Sequence, residues 1–235
     1  MATSMTPVYF FHIPKTSGRY FIANSCLIME NELVANDIQY GDILKSFGHR
    51  SFTPLDTQDI VGITFLRDPV ARSVSHWLHI YHNNLNLTGD MAADKKTFID
   101  FLYANPTKGI IDYQTKFIAY NGPNEIMDID ETDFITTLST DDLARANTRL
   151  SKLSYLFDMK DQSQELSRKF LSKLYDHFQI TPTVSLDVIN PLSPIIDNPD
   201  SKALYASLTT SEIQEIADLM PNDMNLYNSA SFTQL

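Results

Sequence analysis

The sequence predicts an α/β fold: a single domain, residues 1–235, with a central mainly parallel sheet flanked by helices and a helical second half. Two observations carry this. Val8-Tyr-Phe-Phe-His-Ile13 and Ile60-Val-Gly-Ile-Thr-Phe-Leu66 are short continuous apolar runs rich in aromatic and β-branched residues, the composition of buried strands. Each run then meets a proline and passes into a helical pattern, and strand, loop, helix repeated is how parallel strands are joined by crossover helices. No repeat, low-complexity tract or composition break divides the 235 residues, a length that buries a sizeable core as one domain.

Taken in order, the first strand is Val8 to Ile13, broken by Pro14-Lys-Thr-Ser-Gly18. A helix is predicted from Arg19 to about Glu32, with Phe21, Ser25 and Ile28 on one face. A second strand falls within Ile43 to Phe47 and ends at Gly48-His49, and the third is Ile60 to Leu66. Asp68-Pro69 then starts a helix running to about His82, because Asp caps helix N-termini and Pro is pre-organised for the first turn. Further helices are predicted over Lys96–Ala104, Tyr113–Tyr120, Asp141–Leu150 and Gln162–Phe178, with a strand at Ser154–Met159. Four prolines from Pro182 to Pro199 predict an irregular crossing. Thr209-x-x-Glu212 is a capping-box pattern opening a helix through Leu219.

Composition excludes several classes. A lone cysteine, Cys26, makes neither a disulfide framework nor a cysteine-built zinc cluster. A net charge of −11 argues against non-specific nucleic-acid binding, which needs a basic surface. No apolar run approaches the roughly 18 residues of a spanning helix, and the start lacks the charged and apolar regions of a secretory signal. The expectation is a cytoplasmic protein without a membrane or nucleic-acid partner.

Lys15, Thr16, Ser17 and Gly18 place a cation, two hydroxyls and a glycine between a strand and a helix. Backbone N–H groups in such a turn, ahead of a helix N-terminus, form an anion site; the alternative is an ordinary turn. The nucleoside-triphosphatase pattern G-x-x-x-x-G-K-[ST] is absent, since Pro14 precedes the lysine and the glycine follows it. Downstream, Phe65-Leu-Arg-Asp-Pro-Val-Ala-Arg-Ser-Val-Ser-His-Trp77 sets Arg67 at a strand's carboxyl end and Ser75 two helical turns on. Arg67 there can fork onto a second phosphate, or pair with an acidic neighbour. Both segments belong at the carboxyl ends of parallel strands, where open α/β sheets bind ligands.

Together, HIPKTSG and FLRDPVARSVSHW resemble the two cofactor loops of sulfotransferases that use 3′-phosphoadenosine 5′-phosphosulfate (PAPS), nearest the glycan O-sulfotransferases of the heparan sulfate 2-O and 6-O type. The resemblance extends to Tyr113-Gln-Thr-Lys-Phe117, to Ala144–Phe157 with Asn147, and to Leu208–Phe232 with Asp223 and Leu226-Tyr227. It implies the P-loop-nucleotide-binding-like sulfotransferase fold, PAPS as donor, 3′-phosphoadenosine 5′-phosphate (PAP) as product, and no required metal. It implies that Lys15, Thr16, Ser17 and Gly18 hold the 5′-phosphosulfate and that Arg67 and Ser75 hold the 3′-phosphate. Arg19 and Tyr20 stand where the family has small or hydroxyl residues, and Ser17 replaces a common glycine. Arg19 supplies charge to the 5′-phosphate in place of the lost hydroxyl contacts.

Sulfuryl transfer to a hydroxyl needs a base, and histidine is the usual one near neutral pH. Among six histidines, His49 follows a glycine beyond the second strand and matches the G-H segment that carries the base in the 2-O enzymes. Lys15 is the expected partner of the leaving-group oxygen. His12 reads as a structural residue beneath the phosphate loop, His177 as part of a surface helix, and Trp77 and Tyr81 as core. His76, His79 and His82 walk around their helix instead of converging on a metal, and His76 falls near the residues given to the 3′-phosphate. Glu131, Asp133, Asp141 and Asp142 read as solvated surface and helix-start charge. Arg50, Gln114 and Lys116 are expected to face the acceptor, a neutral or weakly acidic glycan or a small glycosylated metabolite, since −11 repels a heavily sulfated polymer. Two other readings are a non-catalytic nucleotide-binding module and a phosphoryl-transfer enzyme. The latter lacks both a lysine-after-glycine loop and a clear magnesium-binding carboxylate.

Overall fold

The computed structural model describes residues 6–16, 25–39, 41, 44–45, 49–80, 88–105, 110–122, 137–159, 164–183 and 199–234. Its strands β1 (Val8–Phe11), β2 (Leu44–Lys45), β3 (Val61–Leu66) and β4 (Tyr155–Asp158) form one sheet in the order β2-β1-β3-β4. Every neighbouring pair is parallel, with Val8 opposite both Leu44 and Val61, and Phe65 opposite Phe157. The helices are α1 (Leu27–Ala35), α2 (Pro54–Thr57), α3 (Pro69–Ile80), α4 (Met91–Ala104), α5 (Tyr113–Ala119), α6 (Thr140–Ser151), α7 (Gln164–Phe178), α8 (Pro199–Ser207), α9 (Thr210–Asp218) and α10 (Pro221–Ser229). The protein is a single α/β domain with an all-parallel sheet among the described residues. None of the described helices is long and apolar enough to cross a membrane.

Side chains alternate across a strand, so an apolar run buried on both faces must be covered twice. One face, with Val8, Phe10, Ile63, Phe65 and Phe157, packs on Met29 and Leu33 of α1 and on Phe170, Leu171, Leu174 and Phe178 of α7. The other, with Tyr9, Phe11, Leu66 and Leu156, meets Leu55 of α2, Phe117 and Ile118 of α5, Ala146 of α6 and Leu226 and Tyr227 of α10. Each such side chain removed from water contributes about 1.5–3 kcal/mol before chain entropy is counted. Gly62 lies on the second face under two leucines. A Cβ there would lie 2.9 Å from Leu55 Cδ2 and 3.0 Å from Leu153 Cδ2, so its absence lets both leucines press onto the sheet. A third apolar cluster joins Val74 and Trp77 of α3, Phe98 and Leu102 of α4, Leu204 of α8 and Ile216 of α9.

Several boundaries differ from expectation for local reasons. The first helix begins at Leu27 after a wide π-type turn at Ser25-Cys26 and runs on to Ala35. Its expected start, with Phe21, lies outside the described residues. The α4 helix starts at Met91, before the expected Lys96, because the Asp90 carboxylate accepts from the N–H groups of Ala92 and Ala93. The short α2, the helix α8 and the terminal α10 were not expected; each opens on a proline. The capping box at Thr209 and Glu212 forms as read, and a second one, Ser139 with Asp142, opens α6. His177 is half-buried, its Nε2 2.9 Å from the Thr6 carbonyl oxygen, so it anchors α7 beside β1. Trp77 is buried, whereas Tyr81, Glu131, Asp133 and most of the Pro182–Pro199 stretch lie outside the described residues.

Candidate anion site at the carboxyl ends of β1 and β3

The strand order creates a switch point. From β1 the chain moves outward to β2 on one side, then crosses to β3 on the other, and the carboxyl end of such a point is where open α/β sheets bind ligands. The two motifs follow these two strands. At the end of β1, the Thr64 hydroxyl donates to the Phe11 carbonyl at 2.6 Å and fastens the last paired residue. The chain then turns through Pro14 and Lys15. Thr16 closes the turn by donating twice to the Ile13 carbonyl, from its N–H at 3.3 Å and its hydroxyl at 2.7 Å. Lys15 sits in the left-handed region with φ 66°, a conformation that costs a non-glycine residue of order 1–3 kcal/mol and is retained where surrounding structure enforces it. Ser17, Gly18 and Arg19 lie outside the described residues.

Arg67 follows β3 directly and reaches the same turn: its Nη1 donates to the Lys15 carbonyl at 3.2 Å. The next residue, Asp68, caps α3 by accepting from the Ala71 N–H at 2.8 Å, as the sequence predicts. Ser75 is half-buried on α3, and its hydroxyl has no hydrogen-bond partner among the described residues.

The residue that sequence reasoning missed is Arg72. It is only 1% exposed. Its Nε donates to the Pro14 carbonyl at 3.2 Å, its Nη2 lies 2.6 Å from His76 Nδ1, and its guanidinium carbon stands 3.7 Å from the centre of the Tyr113 ring. No carboxylate among the described residues forms an ion pair with it. Burial pulls the guanidinium down to about 10, Tyr113 and Asp223 acting against the shift and Arg67 with it, so the side chain stays a cation at neutral pH. His76, 3% exposed, is held well below the ordinary imidazole value by burial first, then by Arg72, Lys15 and His79. The only sequence signal for Arg72 was its place one helical turn before His76 on the face that the Arg67 motif presents.

His49 stands beside the end of β1, its ring centre 4.8 Å from that of His12, and His12 in turn lies parallel to Phe10 at 5.9 Å. The buried His12 thus sits between core and site, and the half-buried His49 lies further out with the half-buried Arg50 next to it.

Gln114 and Lys116, both expected to face an acceptor, are buried on α5. Gln114 is 0% exposed, and its amide is committed to Arg67: the oxygen accepts from the Arg67 N–H at 3.0 Å and the nitrogen donates to the Arg67 carbonyl at 2.9 Å. Lys116 is also buried, which lowers its ammonium pKa, with Asp112 and Asp223 opposing the shift. Asp223 of α10 accepts from the Gln114 and Thr115 N–H groups and from the Thr115 hydroxyl, and burial pushes its carboxyl up. The Tyr227 hydroxyl donates to Asp158 at the end of β4 at 2.7 Å. The Gln-Thr-Lys and Asp-x-x-Leu-Tyr segments therefore meet behind Arg67 and brace it.

No family model, curated protein or solved structure matches this chain.

Proposed function

We propose that the protein is a sulfotransferase that moves a sulfuryl group from PAPS to an acceptor hydroxyl, on a neutral or weakly acidic saccharide, by in-line displacement. The observation that carries this reading is the contact between the two loops: Arg67 Nη1 to the Lys15 carbonyl at 3.2 Å, across the β1/β3 switch point. A 3′,5′-bisphosphorylated adenosine needs two anion subsites within one nucleotide's span, and the loops lie close enough to serve a single ligand. The fit is supported by Arg72, a buried cation that forms no ion pair with a carboxylate among the described residues, since a buried charge is costly and an incoming anion relieves that cost. It is supported too by the parallel sheet, whose carboxyl-end crevice is where α/β folds bind nucleotides.

In this reading the Lys15 turn, with Thr16, Ser17, Gly18 and Arg19, holds the 5′ end of the nucleotide, and Arg67 and Ser75 hold the 3′-phosphate. When bound, PAPS supplies an activated sulfuryl group. His49 takes the acceptor proton as the hydroxyl attacks, and the Lys15 ammonium neutralises charge growing on the departing phosphate oxygen. Arg50, beside His49, is the acceptor-facing residue of this reading. Gln114 and Lys116 support the site from behind.

The test is transfer of ³⁵S from labelled PAPS to a panel of neutral and acidic glycans, run beside thermal-shift titrations with PAP and ATP. Label on a glycan and selective stabilisation by PAP are expected. PAP binding without transfer to any acceptor makes the protein a nucleotide-binding module. Labelling from γ-³²P-ATP makes it a phosphoryl-transfer enzyme.

A further inference from the structure

We propose that His76 is an additional ligand-binding group of this site, held by Arg72 as the Nε2–H tautomer so that it offers an uncharged hydrogen-bond donor to a phosphate-type anion. This rests on the anion-site reading above and adds to it a residue and a charge state.

Arg72 Nη2 lies 2.6 Å from His76 Nδ1. A guanidinium has five N–H donors and no acceptor, so Nδ1 can only accept. The ring proton is thereby placed on Nε2, because the bond at one imidazole nitrogen fixes the other. Arg72 cannot swing away to release this arrangement. Its Nε is tied to Pro14 and its plane lies over Tyr113, whose ring also meets the His76 ring edge-on at 4.9 Å and 88°. The remaining flank of the imidazole, carrying Nε2–H, has no hydrogen-bond partner among the described residues, in a residue only 3% exposed.

Burial first, then the basic groups facing His76, oppose a second proton on the ring. Arg72 and His79 act from α3 itself and Lys15 from the turn after β1, while Tyr113 of α5 presents its ring. Arg67 and Asp223 act one step away, on Arg72. A charged histidine here would loosen an anion as pH rose through its titration. A neutral donor contributes equally on both sides of neutrality, and Lys15, Arg67 and Arg72 already provide the charge.

Two measurements decide the proposal. Long-range ¹H–¹⁵N correlation spectra of the free protein read the His76 tautomer directly: a single neutral Nε2–H form from pH 8 to 5.5 is expected. A Nδ1–H form, a tautomer mixture or a doubly protonated ring in that range overturns it. Calorimetric titration with adenosine 3′,5′-bisphosphate at pH 7.5 then compares wild type with His76→Phe and His76→Gln. About tenfold weaker binding is expected for His76→Phe, with recovery to within about threefold of wild type for His76→Gln, whose amide N–H stands in for Nε2–H. Wild-type affinity in His76→Phe overturns the binding role while leaving the anion site intact. Absence of binding by wild type overturns the anion-site reading and this proposal together. Arg72→Met should release His76 to a tautomer mixture; if it fails to fold, the wild-type spectrum and the two His76 variants still decide the question.

Discussion

Gln114 clasps the backbone of Arg67 from both sides, its amide oxygen accepting from the Arg67 N–H at 3.0 Å and its amide nitrogen donating to the Arg67 carbonyl at 2.9 Å. Arg67 is the first residue past β3, where ladder pairing has ended and its backbone groups need new partners. A buried side chain on α5 supplies them, and so fixes where the guanidinium starts its reach toward the Lys15 turn.

Replacing Gln114 by Ala leaves both Arg67 backbone groups without these bonds, at a cost of about 1–3 kcal/mol per buried unsatisfied group. Denaturant melts of Gln114→Ala should show a loss on that scale. Titration with adenosine 3′,5′-bisphosphate should show weaker binding, because Arg67 loses its fixed base. Unchanged affinity in a folded Gln114→Ala protein would mean that the clasp does not serve the site.

His49 and Lys15 should separate in kinetics. On the proposed function, His49→Ala removes the base and should lower turnover by about 10²–10⁴ while nucleotide affinity stays near that of wild type. Lys15→Ala should lower both, since one ammonium serves binding and leaving-group stabilisation. Equal loss of affinity in both variants would withdraw the base assignment.

Arg149 is the main polar tie between α6 and the rest of the domain. It is 0% exposed, pairs with Asp56 at 2.6 Å, and donates to the carbonyls of Ile118 and Tyr120 at the end of α5, each at 2.7 Å. Asp56 keeps a third of its side chain in water, so Arg149→Met leaves mainly the two backbone carbonyls unsatisfied and should lose about 1–3 kcal/mol in a urea melt. The hydrogen bond from Arg149 lowers the Asp56 carboxyl pKa. Its stabilising effect is therefore present above the unfolded value of about 3.9 and is lost as pH falls through the lower folded value. Wild type should show this acid-side loss, and Arg149→Met should lack it.

His76 adds a dependence of the same sign in a higher pH window, since its folded pKa lies well below the ordinary value, from burial and then from Arg72. Below about pH 6.5 the unfolded chain binds a proton that the folded ring refuses, so stability falls as pH drops, by up to about 1.4 kcal/mol per pH unit. Stability measured from pH 7.5 to 5.5 should carry that slope in wild type and lose it in His76→Gln. A slope unaltered by the substitution would place its origin elsewhere.

The parts of the fold that rest on short-range signals were legible. The strand Val61–Leu66 and the helix from Pro69 follow from an apolar run and the Asp68-Pro69 cap, and Thr209 with Glu212 marks the start of α9 through bonds spanning three residues. The two basic segments at Lys15 and Arg67 were legible as motifs, and the structure brings them into contact. Arg72 was not legible, because a lone arginine within a helix carries no mark of burial until Tyr113 and Pro14 close around it. The Gln114 contact was not legible for a related reason: only the packing of α5 behind β3 turns its amide onto Arg67.

By itself, then, the sequence determined the α/β class, the strand candidates, the caps and the two basic segments, because hydrogen bonds and side-chain periodicity act within a few residues along the chain. The tertiary structure alone decided that β1 and β3 are neighbours with β2 outside, which brings Arg67 onto the Lys15 turn. It alone decided that Arg72 and His76 lie buried as a pair. Strand order and burial depend on which distant surfaces pack together, and no short stretch of chain contains both halves of such a contact.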